Sequence, residues 1–127
     1  MAHLTLEQTK VYSEAVAFAE LVWGDVMEWN AFARETIGKQ LVRAADSIGA
    51  NIAESYGRFH FSERINFLYY ARGSLHECRH WVTLAEKRKL YAPGVAHERM
   101  SRLHSLALEL NAYIKDKRDF RQSYTKQ

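Results

Sequence analysis

A single proline, Pro93, stands in a chain of 127 residues, and apolar side chains elsewhere return every three or four positions rather than every second one. That rhythm is the spacing of helix faces, and the scarcity of breakers leaves long helices as the units to be packed. Thr5-Leu6-Glu7-Gln8 reads as a capping-box start, followed by Val11, Ala15, Phe18, Val22, Val26 and Trp29 on one stripe. Ile37, Leu41, Ala44, Ala45, Ile48 and Ile52 form a second stripe, closed by Gly57. After a candidate N-cap at Ser62, a third carries Phe67, Leu68, Ala71, Leu75, Cys78, Val82 and Ala85. The fourth follows Pro93, a residue suited to a first helical turn, with Met100, Leu103, Leu106, Ala107, Leu110, Tyr113 and Ile114.

Helices are therefore expected over about 5–29, 33–56, 62–89 and 93–116. With short connections they predict an all-α, antiparallel up-down four-helix bundle spanning residues 1–127 as one domain. The basic tail 117–127 belongs to a stretch from Lys115 onward with 5 Lys/Arg against 2 acids, which is expected to fray into solvent. No apolar run is long enough for a membrane span, since Glu14, Glu20, Asp25 and Glu28 interrupt the first helical segment. One cysteine, Cys78, and an N-terminus without a secretory pattern point to the reducing cytoplasm.

Charge is uneven along the chain. Residues 1–57 hold 4 Lys/Arg against 8 Asp/Glu, or −4, and residues 58–127 hold 14 against 7, or +7. Such separation fits either a polyanion or a complementary face of a second copy, and equally a solvated surface that is merely uneven.

Residues His76-Glu77-Cys78-Arg79-His80 spell H-E-x-x-H, the helical zinc-hydrolase pattern in which two imidazoles share a face beside a general base. A catalytic zinc also needs a third protein ligand, and the metzincin extension fails, with Thr83 at its glycine and Glu86 at its histidine. At about 100° per residue, His76 and His80 fall opposite the apolar arc centred on Ala71, Cys78 and Val82. They are expected to be surface or interface histidines, with adventitious metal binding as the other reading. Neither a catalytic residue nor a cofactor is expected, and Cys78 reads as a small core residue.

Gln40-Leu41-Val42-Arg43-Ala44-Ala45-Asp46-Ser47-Ile48-Gly49-Ala50-Asn51-Ile52-Ala53-Glu54-Ser55-Tyr56-Gly57-Arg58 resembles Q-I-x-R-A-A-x-S-I-P-A-N-I-A-E-G-x-G-R. That is the signature of the bacterial four-helix-bundle proteins encoded in intervening sequences of 23S ribosomal RNA genes. The family's second block, F-L-x-x-A-x-G-S-L-x-E, is matched by Phe67-Leu68 through Leu75-His76-Glu77. Gly49 replaces a usual proline, Ser55 replaces a usual glycine, and the F-P-x-E form ahead of Ile37 is missing, changes expected to alter the bend of the second helix. The resemblance implies an all-helical bundle forming homopentameric rings without established enzyme activity. A related branch, the accessory proteins of diversity-generating retroelements, associates with reverse transcriptase and nucleic acid, which makes RNA, DNA or such a protein an expected partner.

Two polar stripes remain. Arg43, Ser47, Asn51, Glu54 and Arg58 line the second helix at spacings of 4, 4, 3 and 4, either satisfied within the chain or forming an oligomer interface. Tyr69, Arg72, His76, Arg79, His80 and Lys87 make an arc on the third helix, away from its apolar face, and read either as a solvated basic face or as a nucleic-acid-binding surface. The expectation is a cytoplasmic, non-enzymatic homo-oligomeric scaffold with weak, sequence-tolerant hold on RNA or DNA. A protein-directed adaptor is the alternative, and a metal-dependent hydrolase using His76 and His80 a distant one.

Overall fold

The computed structural model describes residues 4–125, and every regular element in them is helical. A 3-10 turn, Leu6–Gln8, leads into α1, Lys10–Met27. The next rod, α2, begins at Ala31–Ala33, passes through a π-helical stretch at Arg34–Gly38 and continues as α-helix over Lys39–Gly57. Helix α3 spans Phe61–Lys87 and α4 spans Pro93–Thr125. These four rods form an up-down bundle in which α2 packs on α1 and α3, and α4 closes the remaining side.

Most of the periodic residues meet in one core. Val11, Ala15, Phe18, Val22, Val26 and Trp29 from the first stripe are all buried, as are Leu41, Ala44, Ala45, Ile48 and Ile52 from α2. Leu68, Ala71, Leu75, Cys78 and Val82 face them from α3, and Leu103, Leu106, Leu110 and Ile114 from α4. Burying a leucine or phenylalanine side chain contributes about 1.5–3 kcal/mol, so this shared interior, not intrinsic propensity, stabilises the rods.

Helix boundaries depart from expectation where capping decides them. The Thr5 N–H does donate to Gln8 Oε1 at 2.9 Å, but this arm of the box closes the 3-10 turn and α1 starts only at Lys10. Asn30, whose side chain accepts from the Ala33 N–H at 3.0 Å, starts α2. His60, not Ser62, is the N-cap of α3, while Pro93 is the first residue of α4 as expected. Helix α2 runs unbroken through Gly49 and Ser55, and its irregularity lies instead at Arg34–Gly38. The expected fraying from Lys115 is corrected too: α4 continues to Thr125, with Lys117 over the Tyr113 ring at 4.9 Å and Arg121 over Phe61 at 5.1 Å. The first lies within one turn of α4, and the second is a cation–π attachment of the extension to α3. Among the described residues no helix is long and apolar enough to cross a membrane.

Cys78 is fully buried, and burial pushes its thiol up from 9.0 to about 12, the Glu77 carboxylate adding to the rise and Arg43 opposing it. A thiol so placed is inert as a nucleophile at neutral pH. Because the folded value lies above the unfolded one, the associated stability is complete below pH 9 and is lost as pH rises toward 12. Urea titrations are expected to show an extra loss of up to about 1.4 kcal/mol per pH unit above pH 9, relative to Cys78→Ala. Equal slopes in the two proteins would refute it.

Candidate functional site

The outer face of α3 carries the basic arc. His76, His80 and Lys87 are exposed, and Tyr69, Arg72 and Arg79 are half-buried at its edge. Both histidines thus point away from the core, where Cys78 lies between them on the opposite side of the helix. The His80 ring packs against the Trp81 ring at 4.7 Å between centroids and a steep interplanar angle. Among the described residues no group of three or more His, Cys, Asp or Glu is placed to hold a metal ion.

The arc is organised by α4, a contribution that the pattern of a single helix does not reveal. Arg72 Nη1 donates to Asn111 Oδ1 at 3.3 Å, and Arg118 Nη1 donates to the Tyr69 hydroxyl at 3.2 Å. The Arg72 guanidinium also lies over the Tyr69 ring, 4.9 Å from its centroid. Tyr69 therefore anchors two arginines at the α3–α4 seam, and one face of its ring is covered by Arg72. Asn111 and Arg118 are the residues missed from sequence; their spacing of seven, shared with His104, places them in one row along α4.

Arg72, Arg79, Lys87 and Arg118 form no salt bridge among the described residues, whereas Arg43, Arg58, Arg99 and Arg102 do. Cations left without carboxylate partners keep their full charge for an external anion. Three along one side of α3 and Arg118 on α4 beside Tyr69, they offer phosphate contacts but no base-reading geometry.

The α2 stripe is satisfied within the chain. Arg43 bridges to Glu77 of α3 and donates to Gln40 Oε1 at 3.1 Å. Ser47 Oγ donates to the Arg43 carbonyl and Asn51 Nδ2 to the Ser47 carbonyl, each at 2.8 Å. Arg58 reaches Glu54 at 3.0 Å and Glu63 at 3.9 Å. Trp81 Nε1 donates to Glu77 Oε1 at 3.2 Å, so the glutamate of the motif is a structural acceptor between α2 and α3, already holding two donors.

This bundle and its two signature blocks agree with a family model. Residues 7–114 match the one described as 23S rRNA-intervening sequence protein. The chain belongs to that family. No curated protein matches it. Among solved structures, a protein of unknown function from the S23 ribosomal protein family of Bacteroides thetaiotaomicron VPI-5482 is similar at 22% identity and a TM-score of 0.74, covering 83% of this chain and 98% of that one. At that identity the likeness establishes the shared bundle. In this member of the intervening-sequence family, Arg43 and Glu77, one from each block, join as the ion pair between α2 and α3.

Proposed function

We propose that the protein is a non-enzymatic, cytoplasmic scaffold that assembles as a ring-like homopentamer and holds RNA or DNA weakly and without sequence preference. The observation that carries the nucleic-acid part is the set of cations on the α3–α4 face, Arg72, Arg79, Lys87 and Arg118, that have no carboxylate partner among the described residues. His76 and His80 extend the same face with hydrogen-bonding groups. Tyr69 acts as the positioning residue, fixing Arg72 and Arg118 for backbone phosphates. Repetition of the face around a ring raises effective concentration, so contacts that are feeble singly combine.

Ring assembly is supported by exposed apolar side chains that a lone bundle leaves in water, among them Trp23 at 56%, Met27 at 52% and Phe32 at 80% exposure. The α2 stripe, Arg43, Ser47, Asn51, Glu54 and Arg58, has its hydrogen bonds satisfied internally, and in the ring reading its polar surface forms the rim of a contact instead of its anchor.

Fluorescence anisotropy with labelled single strands tests the nucleic-acid reading. Four phosphate contacts on a single strand set a salt slope near −3 (about −0.7 per contact), or roughly 50-fold weaker binding between about 50 and 200 mM salt. Replacing Arg72, Arg79 and Lys87 by glutamine is expected to flatten that dependence while the fold and mass persist. Absence of binding at low salt, or a slope indifferent to the substitutions, would favour a protein-directed adaptor.

A further inference from the structure

An open groove of about 540 Å³ lies between the C-terminal half of α1 and the π-helical stretch of α2. Its apolar wall is Trp23, Met27 and Val42, and Arg34, Lys39 and Arg43 stand on its rim with one carboxylate, Glu35. Arg34 and Lys39 form no salt bridge among the described residues, unlike Arg43. The groove therefore suits an apolar group flanked by negative charge.

The same chain presents such a group at its other end. Phe120 is 72% exposed near the end of α4, and Asp116 and Asp119 precede it by four and one positions, putting all three on one side of the helix. The nearby cations Lys117 and Arg121 are turned onto the chain's own Tyr113 and Phe61 rings. Among the described residues Asp119 forms a salt bridge only with Lys115, at 3.6 Å between largely exposed side chains, a pairing of little strength that is easily exchanged.

We infer that the groove of Trp23, Met27 and Val42 receives Phe120 of a second copy, with Asp119 against Lys39 and Asp116 against Arg34. Groove and knob lie at opposite ends of the bundle: the first beside the α1–α2 connection, the second beside the start of α3, which Arg121 touches at Phe61. One copy cannot fill its own groove. A ring with an odd number of subunits requires a heterologous contact, joining two different patches, because a self-complementary patch only pairs copies. Groove and knob are two such patches, complementary in shape and charge. The inference rests on the ring reading and specifies which surfaces make it.

Light scattering on the full chain, with helicity checked by circular dichroism, tests the contact. Lys39→Glu and Asp119→Lys are each expected to weaken association at least tenfold, and the double variant, in which the charges are exchanged, is expected to recover the ring mass. Phe120→Ser should weaken assembly without altering charge. Folded single variants that keep the wild-type ring mass, or a double variant no better than either single one, would overturn this contact alone. A wild-type monomer at micromolar concentration would overturn the ring reading with it.

Discussion

Asp25→Ala is expected to destabilise the bundle by about 3 kcal/mol, because it leaves a mostly buried guanidinium without its main counter-ion. Asp25 on α1 accepts from Arg99 of α4 at both carboxylate oxygens, 2.7 Å from Nε and 2.9 Å from Nη2, and also from the Tyr91 hydroxyl. The Asp25 and Arg99 side chains are only 14% and 13% exposed, so solvent screens the pair weakly. Tyr91 is itself buried against Trp29, edge to face at 5.3 Å. Burial, with the Asp25 bond and charge, pushes the Tyr91 hydroxyl well above its ordinary range and keeps it protonated as the donor. Removing the carboxylate thus strands two donors at once, and Glu98, on the exposed side of Arg99, compensates only in part. Urea unfolding followed by circular dichroism measures the loss, which corresponds to a fall of roughly 10 °C in Tm for a domain of this size. The apolar double variant Asp25→Leu, Arg99→Met should recover most of it, since replacing a buried pair whole is often near neutral. A change under about 1 kcal/mol in Asp25→Ala would mean the pair is effectively solvated.

The same clamp shows where sequence reading reached its limit. Asp25, Tyr91 and Arg99 lie 66 and 74 residues apart in pairs, and their meeting depends on the vertical stagger of α1 against α4. Periodicity reports which face of each helix turns inward, and the buried stripes of Val11 to Trp29 and Leu41 to Ile52 follow it because one apolar face per rod suffices to define a bundle. It does not report stagger. Hence the outward aim of His76 and His80 was legible, while the partners Asn111 and Arg118 were not. The helical extension past Ile114 was hidden for a related reason: Arg121 counts as solvated charge in a one-helix pattern, but in space it covers the Phe61 ring of α3. The π-helical stretch is also invisible in the sequence pattern, since local propensity does not distinguish one extra residue per turn from ordinary helix and the choice is made by packing.

That packing predicts opposite outcomes for two glycines. At Gly38, the last residue of the π-helical stretch, an added Cβ would sit 2.7 Å from Val26 Cγ1 and 3.0 Å from the Ala33 carbonyl oxygen. Val26 is buried in α1 and β-branched, with little freedom to turn aside, and the carbonyl belongs to the rod itself. Relief requires α1 and α2 to separate, so Gly38→Ala is expected to lose about 2 kcal/mol despite alanine's better helix propensity. At Gly73, exposed within α3, nothing lies within 4 Å of an added Cβ, and Gly73→Ala is expected to gain about 0.5–1 kcal/mol from propensity alone. Equilibrium unfolding of the two variants side by side separates close packing from intrinsic helix preference, because the covalent change is identical. Gly38 also lines the groove beside Trp23 and Lys39, so Gly38→Ala is expected to lower self-association at concentrations where it remains folded. Gly73→Ala, outside the groove, is expected to leave assembly unchanged. Two variants of equal stability would show that α1 and α2 yield freely at this point, and the groove would then lack the rigid wall that a specific contact needs.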